Sequence, residues 1–199
     1  MIRRLPLLAA LALAGGCGQA PAPAESASHE SPRAAASAAT PAAVASAATS
    51  PAAGTGLARY DGYGDLRLGM DEAAFRAAWQ GALDGRVDPA GGCGVLWPRG
   101  AARDVGFMFE QGRFVRYDVA TAKVAAPGGG AVGMAAARVR ALYGRVEAEP
   151  HKYEAGASTL RVAAPDGRGA LVFETDAQGR IARWRVGLPP AVDYVEGCG

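Results

Sequence analysis

The chain has 199 residues, 21 of them basic and 19 acidic, for a formal charge of +2. That near balance excludes the basic footprint a nucleic-acid binder needs. Taken in chain order, "MIRRLPLLAALALAGG" comes first. Arg3 and Arg4 form a positive start, Leu5 to Leu13 an apolar centre, and small residues follow. Residues 1–16 therefore read as a secretory signal, too short to be a membrane span. Its removal takes two arginines and leaves 19 basic and 19 acidic residues, a formally neutral mature chain.

The stretch "LALAGGC" that ends at Cys17 resembles a bacterial lipobox, with one extra small residue between Leu13 and the cysteine. The resemblance implies that Cys17 is lipidated and becomes the mature N-terminus, so the protein is held on a membrane by its lipid. Several acyl chains hold a protein stably, whereas one alone binds only marginally. Gly18 stands where inner-membrane retention would want Asp, which by the same resemblance implies the outer membrane, facing the periplasm. Residues 17–56 are then mostly Ala, Pro, Ser and Thr, with no aromatic side chain. Such a chain buries too little apolar surface to offset its ordering entropy. It reads as a disordered tether, and its prolines oppose a continuous helix. A flexible coil of about 37 residues reaches roughly 35 Å.

Residues 57–199 have the size of one domain. This part holds two cysteines, Cys93 and Cys198. After export they enter an oxidising compartment, where pairing is the simplest outcome. Buried thiols are the alternative.

An internal match follows. "LRLGMDEAAFRAAW" (66–79) and "AVGMAAARVRALYG" (131–144) each carry Gly-Met, a helix-like run and an aromatic, with the Gly-Met steps 64 residues apart. Further on, "GRFVRYDV" (112–119) matches "GRIARWRV" (179–186). Each half reads as a helix followed by an antiparallel meander. Asp71 can cap the first helix, with Phe75, Ala78 and Trp79 on one face; Val139, Leu142 and Tyr143 occupy that face in the second, which Gly144 ends. Strands are expected near 94–98, 105–110, 158–163 and 170–175. "PGGGAVGM" (127–134) reads as the linker, since it lacks the lysine-containing ending of a phosphate loop. The fold class expected is therefore α+β: two tandem copies, about 62–125 and 126–199, with helices on one face of the sheet. This pattern resembles β-lactamase inhibitory protein, and the "LGM…F…W" start resembles the small envelope lipoproteins of the SmpA/OmlA type. Neither resemblance supplies a functional residue.

The expected hairpins pair Glu110 with Phe114 across a three-residue loop, and Glu174 with Ile181 across a longer one. That register places Phe107, Phe109, Val115, Tyr117 and Val119 against the helices, and Leu171, Phe173, Ala182, Trp184 and Val186 with them. It leaves Phe114, Arg116, Ile181, Arg183 and Arg185 as an exposed patch for a partner. A slip of one residue would reverse these faces. Trp97, in "VLWPRG", either stands exposed as a further contact or packs on the disulfide.

Catalytic residues are not expected. His151 stands alone in "EPHKYE", read as a surface loop, and no nucleophile elbow, CxxC, HExxH or EF-hand pattern occurs. No metal or cofactor is therefore expected. Glu110 and Glu174 hold equivalent places beside their hairpin turns, where pairing with Arg is the simpler role. The composite expectation is a non-enzymatic envelope lipoprotein that binds a protein partner, an assembly component or an enzyme it inhibits. The alternative is binding of a carbohydrate or cell-wall glycan through Trp97 and Phe114.

Overall fold

The computed structural model describes residues 56–198. The signal, Cys17 and the tether lie outside the described residues. Three two-residue strands come first: β1 (Ala58–Arg59), β2 (Gly62–Tyr63) and β3 (Leu66–Arg67), paired in that order. Then come α1 (Glu72–Trp79), β4 (Leu83–Arg86), β5 (Gly94–Pro98), β6 (Val105–Glu110) and β7 (Arg113–Val119). After them follow α2 (Ala136–Tyr143), β8 (Glu147–Pro150), β9 (Ser158–Ala163), β10 (Ala170–Thr175) and β11 (Ile181–Gly187). A 3-10 turn at Ala191–Asp193 lies in the C-terminal segment.

The expected α+β fold of two helix-plus-meander copies is corrected. The described chain is β-rich, an eight-stranded and a three-stranded antiparallel sheet, with helix confined to two eight-residue segments. In the large sheet the order is β4-β5-β6-β7-β11-β10-β9-β8. β7 pairs directly with β11 through Tyr117–Val186 and Trp184–Val119, so one hydrogen-bonded surface crosses the supposed boundary. The close approach there depends on Gly187, where a Cβ would stand 2.7 Å from Val115 O. The sequence signal that misled was the Gly-Met step. Before α1 it follows the little sheet that ends at β3, whereas before α2 it follows a loop with no strand.

The helix side of the large sheet carries the core. In α1, Asp71 caps the N-terminus, its Oδ1 accepting from Ala74 N at 2.9 Å. Phe75 is fully buried and packs edge-on against Phe107, Phe109 and Phe114 at 4.9–5.2 Å between centroids. Trp79 adds an edge contact with Phe107, and Tyr63 of the small sheet joins Phe107 and Tyr117. In α2 only Val139 is buried, and Tyr143 leans on Phe173. The Tyr143 hydroxyl donates to Pro127 O at 2.6 Å and accepts from Gly130 N at 2.9 Å, which fixes the glycine-rich loop. Edge-to-face rings of this kind contribute about 0.5–1.5 kcal/mol per pair beyond their buried area.

Two bulges set which side chains face this core, and they correct the expected registers. Glu110 pairs with Arg113, so the β6–β7 loop has two residues, Gln111 and Gly112. Both have positive φ, 52° and 70°, as a twisted two-residue hairpin turn requires. Met108 then pairs with Arg116 and Phe109 with Phe114, leaving Val115 as the extra residue. In the other hairpin Glu174 pairs with Arg183 and Thr175 with Ile181, leaving Ala182 extra. Each bulge moves the residue before it to the opposite face. Phe114 and Ile181 are accordingly buried in the core, not exposed, while Ala182 is exposed.

Candidate functional site

The opposite face of the sheet, away from the helices, carries charge at its centre. Arg116 and Arg185 are buried there at 4% and 2% exposure, with Glu174 at 2%. An ionised side chain buried this deeply must be paired and hydrogen-bonded. The C-terminal segment supplies much of that pairing. It leaves β11, crosses the face, and ends at Cys198, which is bridged to Cys93 ahead of β5. Arg116 Nη1 donates to Ala191 O at 3.0 Å and to Tyr194 O at 2.7 Å, and its Nε and Nη2 donate to Asp118. Arg185 Nε donates to Val192 O at 2.6 Å, and its Nη1 pairs with Glu174 Oε1. Val192 packs with Ala170 and Val172 in a small apolar cluster. The segment is thus a strap, pinned through its own carbonyls by two guanidiniums and held at its end by the disulfide.

Glu174 is the hub of the network. Its Oε2 lies 2.5 Å from Arg183 Nε and 3.6 Å from His151 Nε2, yet neither approach has hydrogen-bond geometry. Burial pushes its carboxyl up; the charge and hydrogen bond of Arg185 and the charge of Arg183 outweigh this and hold it below the usual carboxylate range. Burial and the neighbouring Arg116 charge pull Arg185 below the usual guanidinium value, against the opposing pull of Glu174. His151 is not a surface side chain, as its sequence context suggests; it is 5% exposed. Its Nδ1 accepts from Tyr153 N at 3.3 Å and Glu154 N at 3.1 Å.

Two clefts flank the strap. The first, about 580 Å³, is walled by β8 and β9 on one side and the strap on the other, with Glu147, Glu149, Lys152, Arg161, Arg185 and Asp193 among its lining residues. The second, about 530 Å³, lies by the β6–β7 turn and includes Glu110, Arg113, Pro190 and Tyr194. In the first cleft Arg161 bonds Asp193 at 3.0 Å, and Lys152 reaches Glu196 at 3.5 Å.

The structure redistributes the expected partner patch of Phe114, Arg116, Ile181, Arg183, Arg185 and Trp97. Phe114 and Ile181 belong to the core, and Arg116 and Arg185 lie beneath the strap; their side-chain exposure is too small for direct contact with a partner. Arg183 remains half-exposed at the end of the network. Trp97 lies against Gly106 and Gly85 on the sheet, and Arg103 sits over its ring at 4.6 Å from the centroid. The cation covers the ring face that a sugar would stack on. Glu110 and Glu174 do not act as a pair; the first faces the Tyr194 hydroxyl at 3.4 Å and the second the arginines. Sequence reasoning missed His151, Asp118 and the strap carbonyls. The paired cysteines and the expected pairing of Glu174 with Arg were the signals that pointed this way.

Cys93 and Cys198 are joined, with Cα atoms 5.4 Å apart. Among the described residues, no group of three or more His, Cys, Asp or Glu side chains could hold a metal, and no helix is long and apolar enough to cross a membrane.

No protein-family model matches the chain, and no curated relative matches it. Among solved structures it is similar to an extracellular protein containing an SCP domain from Bacillus anthracis str. Ames, at 14% identity with a TM-score of 0.42. The match covers 61% of this chain and 44% of that one, so the chain spans less than half the length of that protein. The likeness is too slight to carry function.

Proposed function

We propose that the protein is a non-enzymatic, lipid-anchored binding protein of the cell envelope, which holds a protein partner on the strap side of its sheet. Cys17 would anchor it, and residues 17–56 would let the domain search roughly 35 Å from the membrane. The outer membrane, facing the periplasm, is the placement that Gly18 favours. The observation that carries the reading is the cleft of about 580 Å³ beside the strap. Its floor is fixed by the buried Glu174–Arg185 pair, its rim is charged, and the helix side is spent on the core. A groove with a charged rim and apolar area within it suits another protein's surface. An assembly component or an inhibited enzyme are the partner classes.

Two experiments test this. Labelling with radioactive palmitate should mark the wild type and not Cys17→Ser; equal labelling sinks the anchor. A photo-reactive residue in place of Lys152, on the rim of the cleft, expressed in the native host, should give one discrete protein adduct. Adducts to glycan alone would replace this reading with the carbohydrate one.

A further inference from the structure

The large sheet has two edges, β4 and β8, and they differ. β4 carries Gly85 at φ 94° in mid-strand, which breaks the extended repeat. β8 pairs with β9 over four residues without a register shift: Glu147–Arg161, Ala148–Leu160, Glu149–Thr159 and Pro150–Ser158. All four β8 residues are exposed.

The hydrogen-bond phase of β8 follows from its neighbours. His151 N donates to Ala157 O at 3.0 Å, so that pair is a bonded one. Bonded and non-bonded pairs alternate in an antiparallel ladder. Glu149 and Glu147 therefore spend their N–H and C=O groups on β9. Ala148 and Pro150 turn theirs outward. Ser158 agrees, since its N–H goes to Thr175 Oγ1 at 2.8 Å and not to Pro150. Among the described residues no strand pairs with this outer edge, so Ala148 presents one donor and one acceptor to an incoming strand.

The side chains add a preference. Glu147 and Glu149 share the cleft face and stand about 6.8 Å apart along the strand. The cleft's cations are already engaged: Arg161 by Asp193, Lys152 by Glu196, Arg185 by Glu174. Glu147 shares Arg161 only at 3.8 Å, and Glu149 makes no ion pair among the described residues. The uncommitted charge at this rim is negative.

Resting on the protein-binding reading above, the geometry points to β8 as the docking edge for an extended partner segment with basic residues at alternate positions. The residue opposite Ala148 exchanges both backbone bonds with it. The residues on either side of that one place Lys or Arg against Glu147 and Glu149. Backbone pairing gives the affinity and alternate side chains give the selectivity.

The test uses the full chain with its bridge intact and a short fluorescein-labelled peptide in which lysine alternates with threonine, titrated by anisotropy at low salt. Saturable binding is expected. It should weaken at least about tenfold for Ala148→Pro, which removes the outward N–H and spares the β9 ladder, and for Glu149→Lys. N-methylating the central peptide amides should weaken it equally, and a peptide of the same composition with adjacent lysines should bind at least about tenfold less tightly. No saturable binding, or equal binding of the alternating, N-methylated and rearranged peptides, overturns the proposal. If Ala148→Pro does not fold, the N-methylated peptide on the wild type decides. Photo-adducts from position 152 that survive Ala148→Pro leave a protein partner standing and sink the edge; absence of any adduct from position 152 with Ala148 intact sinks the broader reading first.

Discussion

The two faces of the large sheet are held by opposite means. The helix face is apolar: Phe75 meets three other phenylalanines at 4.9–5.2 Å, and Tyr117 and Trp184 extend the cluster. Its stabilisation is spread over area, so no single contact specifies the whole. The strap face concentrates specification in two guanidiniums, a glutamate, an aspartate and three backbone carbonyls. Burial of ions contributes little net stability, but removing one partner leaves an uncompensated charge. The first face therefore tolerates substitution of shape, while the second tolerates substitution only of partners together.

The bridge gives the largest expected effect. It closes a loop across a sequence separation of 105 residues. Replacing Cys93 and Cys198 with Ser should cost up to about 4–5 kcal/mol on the chain-entropy model. Denaturant unfolding reads the total. Hydrogen exchange should show protection lost first in residues 188–198, with Phe107 and Phe173 keeping theirs. Uniform loss over both faces would erase the distinction between them. Phe75→Ala should cost about 3–5 kcal/mol, as deletion of a buried ring does. Phe75→Leu should recover most of it, since apolar shape is what the helix face requires.

Arg185→Met should cost about 3 kcal/mol, because Glu174 is left buried without its partner. Combining it with Glu174→Leu should return much of that loss in a double-mutant cycle. A double mutant as unstable as the sum of its parts would show that the two side chains are not coupled, and would contradict the pairing. Acid provides a further contrast. Glu174 is held below the usual carboxylate range, so its contribution is present above the unfolded-state value and is lost as pH falls through the lowered folded value. Stability should therefore decline below about pH 4 in the wild type, and the slope should flatten in the Arg185→Met, Glu174→Leu pair, measured by urea midpoints across pH.

The smallest effect separates the helices. Asp71 caps α1 through its side chain, whereas Ala135 at the start of α2 has no side-chain cap bond. Asp71→Ala should cost about 1 kcal/mol, and Ala135→Ser should gain up to about 1 kcal/mol. Thermal midpoints suffice to read both.

The same contrast explains what the amino-acid pattern revealed. Phe75, Asp71 and the strands around Phe107 and Phe173 were legible, because apolar periodicity and capping are local signals. The bulges at Val115 and Ala182 were not. A bulge inserts one residue without a sequence mark, and it carried Phe114 and Ile181 from an expected exposed patch into the core. β4 and β8 were missed for another reason. "LDGR" and "EAEP" are edge strands with polar residues and a Gly or a Pro, which weakens any strand signal. Nor does sequence disclose the strap contacts. Arg116 finds its carbonyl acceptors 75 and 78 residues away, and carbonyls have no residue identity to read. The cysteines alone pointed to that tie.

In the proposed function, binding belongs to the strap side and structure to the helix side. Photo-crosslinking in the native host from two positions tests this most directly: Lys152, on the cleft rim, and Ala77, exposed on α1. One discrete protein adduct is expected from position 152 and none from position 77. An adduct from position 77 with none from position 152 would contradict that assignment.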